Sequence, residues 1–148
     1  MIRNVFVALL CLFAIPAFSR DSDCLGVHMA GTGEAAGKTV RFLKYLGDSC
    51  IVIQTLHGRS DGTAITQSKL CRLEGKSMSN EYTDVDFKMG GFHDGKLYFE
   101  IGVTQLEVLG EEMKLCEVVF ASGRASYFKC ENGKSMSDIR PPLFADYF

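Results

Sequence analysis

Four cysteines of this 148-residue chain stand symmetrically about two turn-forming segments. Cys50 and Cys71 bracket His57-Gly58-Arg59-Ser60-Asp61-Gly62, with the midpoint between Ser60 and Asp61, and Cys116 and Cys130 are centred on Gly123 in Ser122-Gly123-Arg124. Directly opposed residues of antiparallel strands have Cα atoms about 4.5–5.5 Å apart, inside disulfide range. The spacing therefore predicts two stapled hairpins, closed by Cys50–Cys71 and Cys116–Cys130. In the second, Val118 faces Phe128 on the cysteine side, and Glu117 faces Lys129 as an ion pair toward solvent. Each bridge contributes about 2–4 kcal/mol.

Disulfides imply an oxidising compartment, and the start of the chain supplies a route to one. A basic beginning at residues 1–3 precedes eleven uncharged, mostly apolar residues at 5–15; Pro16 and Ala17-Phe18-Ser19 follow, with small residues where a signal peptidase reads. This pattern predicts a secretory signal peptide over 1–19 and a single β domain over 20–148. The apolar run is too short for a transmembrane anchor, which needs about 17–25 residues. Cleavage leaves 129 residues with net charge −3 and removes Cys11, so the cysteine count becomes five. Cys24 is then a free or intermolecular thiol, and the intermolecular form would make a homodimer. Asp21 and Asp23 beside it oppose thiolate formation and a catalytic role. The expected location is secreted or periplasmic, with the absence of an Asn-x-Ser/Thr sequon leaning toward a periplasm.

The cysteine frame recurs with its surroundings. Gly75-Lys76-Ser77-Met78-Ser79 follows Cys71 and Gly133-Lys134-Ser135-Met136-Ser137 follows Cys130, while Cys50-Ile51-Val52-Ile53 parallels Cys116-Glu117-Val118-Val119. We expect two related units, roughly 39–89 and 96–148, in which the pentapeptide is either a strand-exit turn or an anion-binding turn offering backbone amides and Lys. Around Asp94-Gly95, Val85, Phe87 and Met89 alternate with charged residues on one side, and Leu97, Phe99, Ile101 and Val103 alternate with polar ones on the other. That is a hairpin signal. A one-residue bulge at Gly90-Gly91 would set Met89 against Phe99, Phe87 against Ile101 and Lys88 against Glu100, keeping each face uniform. Residues 39–46 and 106–116 read as strand or short helix. The fold class expected is mainly β: a small antiparallel sandwich or barrel built from two related hairpin-containing units with intra-hairpin disulfides.

Several chemical motifs fail on spacing. Gly31-Thr32-Gly33-Glu34-Ala35-Ala36-Gly37-Lys38-Thr39 has Thr32 where a phosphate-binding loop needs glycine, and reads as a loop. Ser126 and Lys129 have acyl-enzyme spacing but fall on a strand, pointing to opposite faces. His28, His57 and His93 match no zinc spacing. No metal, cofactor or nucleic-acid partner is expected, since the charge balance offers no basic footprint. No membrane-spanning segment is expected after signal removal. The tail Arg140-Pro141-Pro142-Leu143-Phe144-Ala145-Asp146-Tyr147-Phe148 would cover the domain's own sheet or dock into a partner.

Loops on rigid scaffolds concentrate binding residues. The leading expectation is a non-enzymatic exported protein of inhibitor or immunity type, presenting hairpin loops to a protein partner. Its contact candidates are His57, Arg59 and Asp61 in the first hairpin, His93 and Asp94 in the bulged one, and Ser122 and Arg124 in the last. The seven-residue run Ala121-Ser122-Gly123-Arg124-Ala125-Ser126-Tyr127 resembles the Ser-Gly-x-x-Tyr hairpin of the lysozyme-inhibitor family of small periplasmic barrels. It has one residue more before Tyr127, and the downstream Lys-Gly order is reversed as Gly133-Lys134, so the chain is not assigned to that family. The alternatives are a carrier of small hydrophobic ligands with an interior lined by Phe42, Phe87, Phe99 and Phe120, and a secreted hydrolase without a recognisable motif.

Overall fold

The computed structural model describes residues 26–58 and 62–139. The signal segment, Cys24, Arg59, Asp61 and the aromatic tail lie outside the described residues. The order of elements is β1 (Val27–Ala35), β2 (Lys38–Tyr45), β3 (Ile51–Leu56), β4 (Ala64–Leu70), β5 (Arg72–Leu73), β6 (Lys76–Ser77), β7 (Tyr82–His93), β8 (Lys96–Gln105), β9 (Glu111–Ala121), β10 (Arg124–Asn132) and α1 (Met136–Ile139). Two antiparallel meanders, β1-β2-β3-β4 and β7-β8-β9-β10, pack face to face, and β5-β6 forms a small ribbon. β4 lies beside β10 and β1 beside β7, but no ladder joins the sheets, so the molecule is a sandwich and not a closed barrel. The unit limits expected at 89 and 96 fall inside the second sheet, which takes in all of β7 and β8.

Both expected disulfides are present, with Cα–Cα separations of 4.4 Å for Cys50–Cys71 and 4.0 Å for Cys116–Cys130. Val118 pairs with Phe128 and Cys116 with Cys130, as the symmetry requires. That register arises differently from the expected three-residue turn, however. Ser122 and Gly123 both have positive φ, 50° and 76°, which makes a two-residue turn, and a shift between Ala125 and Tyr127 restores the frame. Glu117 is opposite Lys129, but its ion-pair partner is Lys96 at 3.1 Å on the neighbouring β8.

Two further expectations change, for one physical reason. The segment read as a loop, 31–39, is a hairpin: β1, a turn at Ala36-Gly37, and the start of β2. Its two strand glycines, Gly31 and Gly33, face rings. A methyl group added to Gly31 would stand 2.6 Å from the Phe42 ring, and one on Gly33 would stand 2.5 Å from Phe92. The β7 bulge lies between Phe87 and Met89 and not at Gly90-Gly91, so Met89 pairs with Glu100 and is half exposed. Gly90 takes the place opposite Phe99 because the Phe42 and Phe99 rings fill the space where a side chain would go. Glycine opposite an aromatic in a sheet marks this kind of close approach. Residues 39–46 and 106–116 contain no helix; β2 occupies most of the first, and a loop followed by β9 occupies the second.

The core is aromatic. Phe99 meets Phe42, Phe87 and Phe128 edge to face at centroid distances of 5.0, 5.6 and 6.1 Å, and all four rings are buried. Edge-to-face pairs contribute about 0.5–1.5 kcal/mol each beyond area burial. Phe120 is only partly buried against this cluster. Two buried lysines are satisfied. The Lys44 ammonium donates to the Tyr45 and Asp48 carbonyls over the Phe87 ring, and Lys114 reaches Asn132, Glu74 and Glu112. Burial lowers the Lys44 pKa.

The repeated pentapeptide recurs as a geometry. Met78 and Met136 are both buried, at 3% and 2% exposure. Hydroxyl pairs Ser77–Ser79 and Ser135–Ser137 form in the two copies, and the Ser77 and Ser135 amides donate to Glu81 and Asp138. Those amides are already engaged by the chain's own carboxylates, which favours the strand-exit reading over an anion-binding turn. Two disulfides are compatible with an oxidising compartment. Among the described residues, no helix is long and apolar enough to cross a membrane.

Candidate functional site

In an antiparallel meander every second turn falls at the same end, so the β1–β2 and β3–β4 turns share one end of the first sheet and the β7–β8 and β9–β10 turns share one end of the second, and three contacts tie the two sheets' turns together there. The Ala36 amide of the β1–β2 turn donates to the Gly95 carbonyl of the β7–β8 turn at 2.9 Å. Thr55 Oγ1, at the end of β3, donates to the Gly123 carbonyl of the β9–β10 turn at 3.2 Å. Lys38, on β2, also lies against Gly123, where its amine would be 2.6 Å from an added methyl group. Arg41 Nη2 donates to the Gly62 carbonyl at 3.4 Å, holding the β3–β4 connection to β2. One rim results.

The described contact candidates all map to this rim, although they come from three hairpins. His57 is exposed, and its amide donates to the Thr63 carbonyl at 3.0 Å. His93 pairs with the exposed Asp94, Nε2 to Oδ2 at 3.1 Å. Asp94 and Ser122 each occupy a positive φ, 47° and 50°, beside Gly95 and Gly123. Such turns match the twist of the flanking strands, and Asp, Asn or Gly suits them best. The turns therefore have fixed shapes, with the side chains of Asp94, Ser122 and Arg124 directed outward and exposed. Arg59 and Asp61, which fall between β3 and β4 in the sequence, lie outside the described residues.

The sequence reading missed the groups that tie the rim. Thr55 appears in it as an ordinary strand position and Lys38 as part of a loop, because pairings between the sheets leave no periodic signal. It also missed the apolar character of the opposite end. There Leu46 is 76% exposed in the β2–β3 turn, and Leu106, Val108 and Leu109 are 63%, 58% and 102% exposed in the β8–β9 loop. Three large apolar residues just before Gly110 were the available signal.

The electrostatics offer no acid poised for proton transfer among the groups that shift. Asp48 is held low by Lys69 and the Cys50 amide, Glu131 by Lys134, and Asp138 by the Ser135 amide and hydroxyl. All three are stabilised as carboxylates, whereas a general acid needs the opposite shift. Among the described residues, no group of three or more His, Cys, Asp or Glu could hold a metal ion. Comparison with known proteins gives no match to any family model, curated sequence or solved structure.

Proposed function

We propose that this chain is an exported, non-enzymatic binding protein, of inhibitor or immunity type, that presents the hairpin rim to a protein partner in a secreted or periplasmic setting. The observation that carries the reading is the gathering of His57, His93, Asp94, Ser122 and Arg124 onto one end, with the turns of the two sheets joined by Ala36–Gly95 and Thr55–Gly123 hydrogen bonds. A rim fixed before binding loses little entropy on association, which is where rigid scaffolds gain affinity. Its mixed groups, histidine, aspartate, serine and arginine, suit a polar protein surface. The carrier alternative is disfavoured because Phe42, Phe87 and Phe99 fill the interior by contacting one another. The hydrolase alternative draws no support from the shifted carboxylates, since Asp48, Glu131 and Asp138 are all held ionised.

A photocrosslinking amino acid at position 124, installed in the native host, tests the reading against the same probe at position 108 on the opposite end. The expected result is one stoichiometric protein adduct from position 124, lost on Asp94→Ala with Ser122→Ala. Adducts from position 108 alone, or none from 124, would overturn it.

A further inference from the structure

The loop joining β8 to β9, residues 106–110, turns its apolar side chains away from the domain. Leu106, Val108 and Leu109 are 63%, 58% and 102% exposed. Single exposed apolar residues are ordinary, but a cluster of them in one loop forms a patch, and such patches mark interaction sites. The loop is held at its base. Thr83 Oγ1 donates to the Gln105 carbonyl at 3.2 Å, Gln105 Nε2 donates to Glu112 at 3.4 Å, and Thr104 pairs with Glu111 across the two strands. Leu106 and Val108 border an open pocket of about 300 Å³ with Lys76 and Glu81, yet they remain more than half exposed. The result is a knob on a fixed base.

Charge limits what the knob can enter. Glu107 stands between Leu106 and Val108, and Asp84 pairs with Thr104 at the base of the loop. Both are exposed and, among the described residues, neither has an ion pair. Glu111 and Glu112, in contrast, are met by Lys88 at 2.8 Å and Lys114 at 3.6 Å. Lys76 lies over the Tyr82 ring at 5.8 Å.

The position of Glu107 separates three occupants. Lipid would have to take up Leu106 and Val108 together with the carboxylate between them, and an unpaired charge is costly in hydrocarbon. A second copy meeting tip to tip would set two Glu107 carboxylates against each other, which like-charge repulsion opposes. A protein surface with an apolar hollow bordered by Lys or Arg takes the leucines and answers the carboxylates together.

We propose that the β8–β9 loop is a second interaction site, at the end opposite the hairpin rim, that inserts Leu106, Val108 and Leu109 into an apolar hollow of a partner protein bordered by basic residues. Glu107 and Asp84 pair with those bases. Leu109, the most exposed of the three, is the anchor: interface anchors are groups that become fully desolvated inside a ring of contacts that excludes water. None of these residues belongs to the rim, so the two sites stand or fall separately.

The chain has no tryptophan, so Leu109→Trp places a single fluorophore at the tip. The probe is a peptide of two copies of Leu-Lys-Lys-Leu-Leu-Lys-Leu, whose helical apolar stripe is bordered by lysines, and the same peptide with Glu for Lys is the control. At about 0.15 M salt the lysine peptide is expected to shift the emission to the blue and to bind the oxidised protein about tenfold more tightly than the control. Glu107→Lys should reverse that preference. With the tryptophan omitted and the peptide labelled instead, Leu106→Ser combined with Leu109→Ser should weaken binding about tenfold, and amide chemical shifts should concentrate at 104–112. These positions are exposed, so the variants should keep the parent's urea midpoint. A blue shift on vesicles of phosphatidylcholine, with or without phosphatidylglycerol, would assign the tip to lipid, and one that grows with protein concentration alone would assign it to a second copy. Either result would overturn the proposal, as would equal affinity for the two peptides, no response to either, or amide shifts confined to the hairpin rim.

Discussion

Replacing Gly90 with alanine tests whether an aromatic core set the register of the second sheet. The backbone there is ordinary extended strand, so alanine should be welcome locally. Fewer unfolded conformations would stabilise the variant by about 0.4–1 kcal/mol. Opposing this, the new methyl group would stand 2.6 Å from Phe99 Cε1 and 2.9 Å from Phe42 Cζ, where an unstrained carbon contact needs about 3.5–4.0 Å. Neither ring can swing aside, because Phe42 and Phe99 are 2% and 0% exposed and lock edge to face at 5.0 Å. Overpacking of this kind costs about 1–3 kcal/mol, so the net expectation is a loss of about 1–2 kcal/mol. Gly26→Ala is the control. Its nearest neighbour would be Tyr45 Cδ1 at 3.9 Å, and stability should hold or rise.

Urea denaturation of the oxidised protein reads both variants as shifts in midpoint at constant slope. Phe99→Leu, destabilising alone, removes part of the obstructing ring. Combined with Gly90→Ala it should therefore cost about 1 kcal/mol less than the sum of the single losses. Strict additivity, or a Gly90→Ala variant as stable as the parent, would refute the claim that ring packing excludes a side chain at position 90.

Met78→Ala and Met136→Ala should each cost about 2–5 kcal/mol in the same assay, while Lys76→Ala and Lys134→Ala stay within about 0.5 kcal/mol; the reverse order would restore the anion-binding reading of the pentapeptide. Removing Cys116–Cys130 as a double alanine variant should lower stability by about 3 kcal/mol for a sequence separation of 14, and removing Cys50–Cys71, with a separation of 21, by slightly more. Equal stability of reduced and oxidised protein would contradict this. The Asp48 carboxylate is held below its ordinary value by Lys69 and then by the Cys50 amide. Its stabilisation is therefore complete above the unfolded value, near 3.8, and lost as pH falls through the lower folded value. Thermal melts below pH 4 should show a steeper loss for the parent than for Asp48→Asn, and parallel curves would remove Asp48 from the acid response.

What could be read from the sequence was whatever depends on local period or on pairing across one turn. Cys116, Val118 and Phe128 announced their register because an antiparallel hairpin ties sequence symmetry to spatial opposition. β1 was hidden because its inward positions are Gly31 and Gly33, where apolar alternation requires a side chain. Their partners, Phe42 and Phe92, belong to other strands. The same cause displaced the bulge from Gly90-Gly91 to the Phe87–Met89 step. The candidate rim was legible as separate turns, since Asp94-Gly95 and Ser122-Gly123 carry the chemistry of positive φ. Its assembly was not legible, because Thr55 to Gly123 spans 68 residues and leaves no local trace.

The pentapeptide shows which level of structure governs this chain. The same five residues enter β6 and a loop in the first copy, yet lead into α1 in the second. Local propensity is identical, so it cannot select between the two outcomes. What recurs is the positive φ of Gly75 and Gly133, the serine hydroxyl pair, the capped serine amide and the buried methionine. The methionine anchor behind each disulfide hairpin therefore dominates, and the backbone beyond it adapts to its own sheet. The exits differ around equivalent anchors: one leads through β6, and the other turns as α1 onto the Glu100 carboxylate, which accepts from the Met136 amide at 2.9 Å. Where two copies share their core and differ in their exits, the exits are where distinct binding surfaces can arise without cost to the fold.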